Sequence, residues 1–376
     1  MVRNLPAITL VNRHPLTKFG ELELRSLPAG GGIVVSDFTE KLEVFQAAQA
    51  QHPDKSGWLP VDTQYLPAPE YRERLNRRCP GNWLAATNAQ ALGSGEMLQL
   101  LARLAQTNRI FYIHPSFGYF FELFYAQPTG LAYELKRYPA KTIDPPPLTA
   151  ATIAQNEKLW DELTPEIESL QRLNSPAETS PAKFAQKHFY LEPVGSSQIG
   201  LLKEWYSLAL DDWGVQLQRN GWLPAAQRRF DQALFLNPNN WIARLNLYCN
   251  TNLQAGTNMT LSGVANLDSQ LGSLQNRARL MIHLGPMDEP DWCYLLGKIY
   301  QQERLPRLAM QQFDRAHALA PHDVAPEFAL AELRHDTNQV IHYLKLWLSN
   351  APPDSVQWRQ VRTRLDLLQP PPAGGR

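Results

Sequence analysis

Two segments of the chain repeat one pattern of small and large residues, and this repeat restricts the possible folds more than any other feature. One segment is centred on Gly214 and the other on Gly297. In both, matching residue types follow the glycine at offsets of 3, 12, 16, 19 and 24, within equal frames at positions 207–240 and 290–323. The pattern consists of Trp213, Gly214, Leu217, Ala226, Phe230, Ala233 and Pro238 in the first segment, and of Leu296, Gly297, Tyr300, Ala309, Phe313, Ala316 and Pro321 in the second.

These residue types suit a pair of antiparallel helices. Glycine and alanine let two helix backbones approach closely, large residues fill the space between them, and the final proline ends the second helix. The pattern resembles the tetratricopeptide repeat (TPR), which implies stacked helix pairs with a concave surface that binds peptides or partner proteins. One pair cannot bury its apolar faces alone, so the repeats are expected to stack. The alternative is that the helices only support the N-terminal domain as a buttress.

The spacing of the two segments predicts further repeats. The separation between Gly214 and Gly297 is longer than two repeat frames and shorter than three. We therefore predict a degenerate middle repeat from Trp241 to about Pro286, with an insertion near residues 255–266. An eroded repeat is predicted over residues 324–352, and residues 354–368 would form a polar capping helix. The sequence thus predicts an all-α, TPR-like solenoid over residues 197–369 and a disordered tail at 370–376.

Residues 1–138 alternate strand-like and helix-like patterns. Strands are predicted at residues 33–35, 58–62 and 109–114, and helices at 67–78 and 94–107. Another helix is predicted to run to about Gln51, capped by Asp37 or Thr39. Residues 110–126 are interpreted as a buried strand followed by a loop and a helix. This order predicts a small α/β domain with a largely parallel sheet. Prolines at 139–147 mark a linker, and with a helix at 148–173 they form a connecting region over residues 139–196.

Polar residues follow the predicted strands, where parallel α/β sheets bind their ligands. We call these residues the strand-end rim, a candidate site for a sugar or another polar ligand, and its members are Asp37, Asp62, His114, Ser116 and Glu122. The alternative is that they are ordinary helix caps, turn formers and helix-start charges. Gly30 to Gly32 precede the first strand instead of following it, so a nucleotide site is not supported. The sequence has no HxH, HExxH or GxSxG motif, and we predict no catalytic residue, no metal site and no cofactor.

A second resemblance rests on the string from Ile113 to Glu122, IHPSFGYFFE, followed by LFY and by GLAYELK at 130–136. It is similar to the soluble C-terminal region of bacterial GT-C-type membrane glycosyltransferases related to protein O-mannosyltransferases. The resemblance implies an α/β region followed by TPR units, attached to an enzyme that uses a polyprenyl-phosphate sugar. The membrane part that would carry catalysis is absent from this sequence, so no catalytic residue is carried over. The chain is then either the detached soluble half of such an enzyme or an independent adaptor.

Charge and cysteine content exclude several other classes. The 36 Lys and Arg residues balance the 36 Asp and Glu residues, so binding of nucleic acid through bulk charge is not expected. Cys79, Cys249 and Cys293 form no CxxC pair and are interpreted as isolated thiols. No secretory signal core and no membrane span is predicted. The compartment stays open: extracytoplasmic if the chain belongs to the membrane family, and cytoplasmic otherwise.

These observations lead to three hypotheses about function. The first is a non-catalytic interaction module, associated with a membrane O-glycosyltransferase, that binds acceptor or partner proteins on the TPR concave face. The second is an enzyme or sugar-binding domain that uses Asp37, Asp62 and His114. The third is an independent cytoplasmic TPR adaptor without a link to glycosylation.

Overall fold

Strands and helices alternate up to residue 137, and only helices follow, in the computed structural model, which describes residues 15–79, 91–113, 118–172, 194–261, 285–350 and 356–369. The prediction of an α/β part followed by a helical part is therefore confirmed. The described residues fall into two compact units. The first extends to Leu247 and includes residues 285–286, and the second contains Tyr248 to residue 261 and the described residues from Met287 onwards.

One mixed sheet of five strands lies in the N-terminal part, in the order β2-β1-β3-β5-β4. Strand β1 pairs in parallel with β2 and β3, whereas β5 pairs antiparallel with β3 and β4. The strands are β1 (Gly32–Ser36), β2 (Trp58–Asp62), β3 (Ile110–Tyr112), β4 (Phe124–Pro128) and β5 (Tyr133–Arg137).

The prediction of a largely parallel sheet was wrong in its second half. The helix expected before residue 126 is a single 3-10 turn, Tyr119–Glu122, and β4 begins directly after it. A tight turn then returns the chain into β5, with Gly130 at a φ of 87° and the Thr129 N–H donating to the Ala132 carbonyl over 2.8 Å. Antiparallel neighbours need only such a short connection, whereas a parallel pair needs a crossover of a dozen or more residues.

Helices cover both faces of the sheet. Val34 points towards one face, where it packs with Leu42 and Phe45, and Ile33 and Val35 point towards the other, where Leu101 is among their partners. This alternation follows from the two-residue period of a strand. The helices of this layer are α1 (Pro15–Arg25), α2 (Thr39–Gln49), α3 (Pro69–Arg78) and α4 (Ser94–Thr107).

Nine further helices follow the sheet layer among the described residues. The predicted helix at 148–173 is α5, and the predicted capping helix is α13. The full series is α5 (Ala150–Arg172), α6 (Val194–Arg219), α7 (Leu223–Leu236), α8 (Trp241–Ala255), α9 (Pro290–Gln302), α10 (Pro306–Leu319), α11 (Val324–Leu333), α12 (Thr337–Asn350) and α13 (Val356–Leu368).

Helix α6 lies at the centre of the first unit. Its Trp205 and Tyr206 share a core with Phe19 of α1 and Trp160 of α5. Among its described side chains, from residue 198 onwards, only Glu204 and Arg219 are exposed. A helix buried on nearly every side must contact several elements at once. Contacts with α1, α5 and α7 supply this burial.

Several predictions fall outside the described residues or remain predictions. Helix α8 begins at Trp241, where the middle repeat was predicted to start. Residues 262–284 of that repeat lie outside the described residues. So do the loop predicted at 174–181 and the tail at 370–376. The domain boundaries at 138/139 and 196/197 stay predictions. Among the described helices, none has the length and apolar character needed to cross a lipid bilayer.

Candidate functional site

The strand-end rim is built where the three parallel strands end. Strand β1 lies between β2 and β3, and Ser36 is directly opposite Asp62 in the register. Asp37 follows β1, so the two carboxylates belong to neighbouring strand ends. The sequence prediction placed both residues at one edge of the sheet, and the register agrees with it.

Hydroxyl groups of the chain itself hold the Asp37 carboxylate. The Thr63 hydroxyl donates to Asp37 Oδ1 over 2.5 Å, and the Tyr112 hydroxyl donates to Asp37 Oδ2. Tyr112 is fully buried in β3. The Asp37 side chain therefore joins the ends of β1, β2 and β3.

The Asp62 carboxylate is bound in a similar way and is 4% exposed. The Thr39 hydroxyl donates to Asp62 Oδ2 over 2.7 Å, and the Gln64 N–H donates to Oδ1 over 2.9 Å. The Asp62 N–H donates to the Tyr71 hydroxyl over 2.9 Å. The predicted cap of α2 by Asp37 or Thr39 was wrong, because Phe38 is the N-cap residue and no side chain caps the helix. Thr39 instead uses its hydroxyl on Asp62.

Two tyrosines complete this polar edge, Tyr71 and Tyr119, and neither was predicted as a member of the rim. Burial, with the neighbouring Asp37 charge, raises the pKa of Tyr119 to about 12. Burial is also the main reason that the pKa of Tyr71 lies above its ordinary value. Both phenols therefore stay protonated near neutral pH and can donate hydrogen bonds. Neither residue ends a predicted strand, so the rule that placed Asp37 and Asp62 at this edge did not apply to them.

Three further residues were predicted for the rim, and only one of them is described. Glu122 ends the 3-10 turn Tyr119–Glu122 and is half-buried. His114 and Ser116 lie outside the described residues. In the part of the chain that the structure describes, no group of three or more His, Cys, Asp or Glu side chains could hold a metal ion. Among the described residues the rim contains two carboxylates, Asp37 and Asp62, that accept hydrogen bonds from hydroxyl groups of the chain, and a ligand would have to compete with those groups.

The residues of the repeated pattern meet inside two helical hairpins. Hairpin 1 is α6 with α7, and hairpin 2 is α9 with α10. A Cβ atom added to Gly214 would lie 2.5 Å from the Phe230 ring, and one added to Gly297 would lie 2.6 Å from the Phe313 ring. In each hairpin the phenylalanine therefore occupies the space that the missing side chain leaves.

Both hairpins turn through the same backbone motif. In hairpin 1 the Trp222 N–H donates to the Leu217 carbonyl over 2.9 Å, and Gly221 has a φ of 79°. In hairpin 2, Leu305 and Tyr300 form the same bond over 2.9 Å, and Arg304 has a φ of 59°. This is the Schellman ending of a helix, in which a left-handed residue reverses the chain. The two turns occupy equivalent positions in the repeated pattern.

A third hairpin, α11 with α12, has the same turn with different packing. The Asp336 N–H donates to the Ala331 carbonyl over 3.0 Å, and His335 has a φ of 54°. Counted from this turn, Phe328 stands at the glycine position and Leu344 at the phenylalanine position. The large residue has moved to the first helix and a smaller one faces it, both in one apolar cluster. This hairpin lies within the predicted eroded repeat at 324–352.

The other residues of the repeated pattern have structural positions as well. Leu217, Ala226, Ala233, Tyr300, Ala309 and Ala316 are buried, and so are Trp213 and Leu296. The Asn237 N–H donates to the Ala233 carbonyl where α7 ends, and Ala320 does the same to Ala316 where α10 ends. Pro238 and Pro321 each follow the C-cap residue of their helix, and both are exposed.

An ion-pair network joins hairpin 1 to α5. The Arg229 side chain is 2% exposed, and its guanidinium donates to Glu157 Oε1 and to Asp161 Oδ1, each over 2.9 Å. The indole of Trp213 donates to the same Glu157 oxygen over 2.8 Å, and Arg228 contacts Oε2 at 3.1 Å. Burial pushes the pKa of Glu157 upward, but these hydrogen bonds outweigh it and the pKa lies below its ordinary value. The network fixes α7 to α5 within the first unit.

No protein-family model matches this chain, and no curated protein and no solved structure matches it.

Proposed function

We propose that the chain is a non-catalytic protein-interaction module built on TPR-like helical hairpins. The observation that carries the proposal is the hairpin itself, which recurs three times with the same left-handed turn and, in two cases, with the same glycine–phenylalanine contact. Repeated helix pairs commonly form extended binding surfaces, because each pair adds a similar face beside the previous one. The partner is a protein or a peptide.

The binding face belongs to hairpins 2 and 3 in this proposal, and hairpin 1 acts as the buttress. From residue 198 onwards, where its side chains are described, helix α6 is buried on nearly every side and leaves no extended face for a partner. Helix α9 is different, because Leu295, Lys298 and Gln302 are half-buried or exposed on one face. The opposite face of α9, with Leu296 and Gly297, packs against α10.

Photo-crosslinking tests this assignment. A photoreactive amino acid at Lys298 is expected to capture a specific protein in cells, and the same residue at Ala318, exposed on α10, serves as the matched control. A product from position 298 that is missing from position 318 supports the proposal. Equal products from both positions, or no product from position 298, would refute it.

The association with a membrane O-glycosyltransferase is a further part of the proposal and rests on the resemblance of residues 112–136. If it is correct, the protein captured from position 298 is an acceptor protein or a multi-spanning membrane protein, which mass spectrometry of the membrane fraction identifies. A captured protein with no relation to membranes or glycosylation would instead favour the independent adaptor.

A second candidate function is binding of a sugar or another polar ligand at the rim. It is favoured by the position of Asp37 and Asp62 at the ends of adjacent parallel strands, where such sheets bind ligands. The test compares Asp37→Asn with the wild-type chain by calorimetric titration with a panel of sugars and by thermal melting. Loss of sugar binding at an unchanged Tm supports a ligand site. A lower Tm without any sugar binding to the wild type shows that the rim is structural.

A further inference from the structure

Three ionisable side chains and a tyrosine lie buried together between the sheet layer and helix α6. Glu23 of α1 is 0% exposed, Lys41 of α2 is 2% exposed and Asp212 of α6 is 4% exposed. The buried Tyr133 of β5 donates its hydroxyl proton to Asp212 Oδ2. We call these four residues the buried charge cluster. All four belong to the first compact unit.

The cluster has one negative charge too many if every group ionises. Glu23 and Asp212 would each carry a negative charge, and Lys41 is the only cation among the four residues, although Arg219 also acts on Asp212 from outside the cluster. Lys41 interacts electrostatically with both carboxylates, and its ammonium lies 5.5 Å from the centre of the Phe19 ring and 5.6 Å from that of Trp205. An uncompensated charge in such apolar surroundings is costly, so a buried group takes up a proton instead.

The hydrogen bonds indicate which carboxylate keeps that proton. Asp212 accepts the Tyr133 hydroxyl, and a donated hydrogen bond stabilises the ionised form. Neither carboxylate oxygen of Glu23 has a hydrogen-bond partner within the part of the chain that the structure describes. Burial raises the pKa of Glu23 to about 8, although the Lys41 charge opposes the rise. Glu23 is therefore the group that stays protonated near neutrality.

We propose that the protonated form of Glu23 stabilises the packing of α1 against α6, and that loss of this proton destabilises this packing. The contact itself is aromatic: the Phe19 ring is 5.3 Å from Trp205 and 5.1 Å from Tyr206, measured between ring centres. An ionised Glu23 on the same helix can be hydrated only if α1 moves away from α6. The first unit thus contains a helix contact, between α1 and α6, that depends on this proton and becomes more stable as the pH falls.

Other titratable groups lie near the cluster. Tyr206 interacts with Glu23 and donates a hydrogen bond to Glu166 of α5 over 3.2 Å, and Glu166 also pairs with Lys18 of α1. Arg219 acts on Asp212 from the end of α6. Tyr206 and Arg219 therefore act on the cluster directly, whereas Glu166 contacts Tyr206 and Lys18 contacts only Glu166.

Ionisation of Glu23 and detachment of α1 are linked equilibria, and this linkage determines how detachment depends on pH and over which pH interval. With α1 detached, Glu23 has its ordinary pKa of 4.5, and with α1 attached its pKa is about 8. Between these values the attached state holds a proton that the detached state has lost, so a higher pH favours detachment. Burial raises the pKa of Asp212 to about 6 and lowers that of Lys41 to about 8. Asp212 therefore contributes only below about pH 6 and Lys41 only above about pH 8, which leaves the interval between them to Glu23.

Hydrogen exchange of the α1 amides in the full chain measures how often the contact between α1 and α6 opens. We expect the opening constant, which is the exchange rate divided by the intrinsic rate, to rise by up to about tenfold per pH unit between pH 6 and pH 8. Glu23→Gln, which cannot ionise, should remove this slope. Glu21→Gln on the same helix is the matched control and should keep it, because Glu21 is only half-buried and its carboxylate lies 4.0 Å from Arg25 at the surface.

A flat wild-type profile over this interval would overturn the proposal, and so would a full slope in Glu23→Gln. If that variant does not fold, infrared spectra of the wild-type chain with labelled glutamate carboxyl groups decide instead. One protonated glutamate carboxyl group at about pH 6 that is lost by about pH 9 supports the proposal. If no such signal is present at pH 6, the proton is not on Glu23 and the proposal fails.

Discussion

Hairpins 1 and 2 share an interior but differ in almost everything that faces outward. The interior contact is the same, Phe230 against Gly214 in one and Phe313 against Gly297 in the other. Outside it, Arg229 of hairpin 1 corresponds to Gln312 of hairpin 2, and the buried Asp212 corresponds to the half-buried Leu295.

The comparison shows that the packing inside a hairpin and the contacts outside it are determined by different residues. The residues of the repeated pattern determine how two helices pack, and they do so in either surrounding. The remaining positions determine what the hairpin contacts: α5 and the sheet layer for hairpin 1, and the proposed partner for hairpin 2. Substitutions in the interior should therefore have matching effects in both hairpins, whereas substitutions of outward residues should not.

The largest expected effect comes from the shared interior. Phe230→Ala and Phe313→Ala should each cost about 3–5 kcal/mol, because a large buried ring is lost and a cavity remains between the helices. Hydrogen exchange should locate the loss in α6 and α7 for the first variant and in α9 and α10 for the second. A cost below about 1 kcal/mol in only one hairpin would show that the two interiors are not equivalent.

The next effect should separate the two hairpins. Arg229→Met removes a buried guanidinium and leaves Glu157 with fewer donors, whereas Gln312→Met at the equivalent position removes no charge. Breaking a buried ion pair costs about 3–5 kcal/mol, and because the Asp161 side chain is 72% exposed we expect about 2 kcal/mol for Arg229→Met.

Gln312→Met should cost less than about 1 kcal/mol, because its buried Oε1 has no hydrogen-bond partner among the described residues. Urea denaturation of both variants, followed by hydrogen exchange in α7 and α10, measures this difference. Equal losses would contradict the view that hairpin 1 is fixed by its outward contacts.

The sequence predicted the hairpin interiors because their determinants are local and repeated. Five residue types at fixed offsets from a glycine were enough to place Phe230 and Phe313. The turns were less visible, because Arg304 and His335 adopt the left-handed conformation that glycine usually signals. In hairpin 3 the exchange of sizes between Phe328 and Leu344 conserves the packing but removes the pattern.

The sheet and the polar sites were predicted less well, and the physical reason is distance along the chain. Asp37 and Asp62 follow strands, so the rule for parallel sheets placed them, but Tyr71 and Tyr119 reach the same edge from other elements. The buried charge cluster joins residues 23, 41, 133 and 212, and no local pattern connects them. The hairpin of β4 and β5 was missed because the aromatic residues before it were interpreted as the start of a helix.

The stability that the Glu157 ion pairs give to hairpin 1 should depend on pH. Because the pKa of Glu157 lies below its ordinary 4.5, its ion pairs stabilise hairpin 1 fully above that value and are lost as the pH falls through the lowered pKa. Glu157→Gln should therefore cost stability at neutral pH and progressively less in acid. The difference in urea midpoint between wild type and variant, measured from about pH 6 down to about pH 3, isolates this group. A difference that does not change with pH would mean that the Glu157 charge contributes nothing.

The smallest effect lies in the turns, where the two hairpins share a conformation but not a residue type. Gly221 has a φ of 79° without strain, whereas Arg304 has a φ of 59° with a Cβ atom that crowds the following carbonyl. Arg304→Gly should therefore stabilise hairpin 2 by about 0.5–1 kcal/mol, and Gly221→Ala should destabilise hairpin 1 by about 1 kcal/mol. Opposite signs in urea denaturation would establish that the turn conformation, and not its side chain, is what the repeat conserves. If Arg304→Gly is destabilising, the arginine side chain must hold the turn through contacts of its own, and the hairpins differ at this position too.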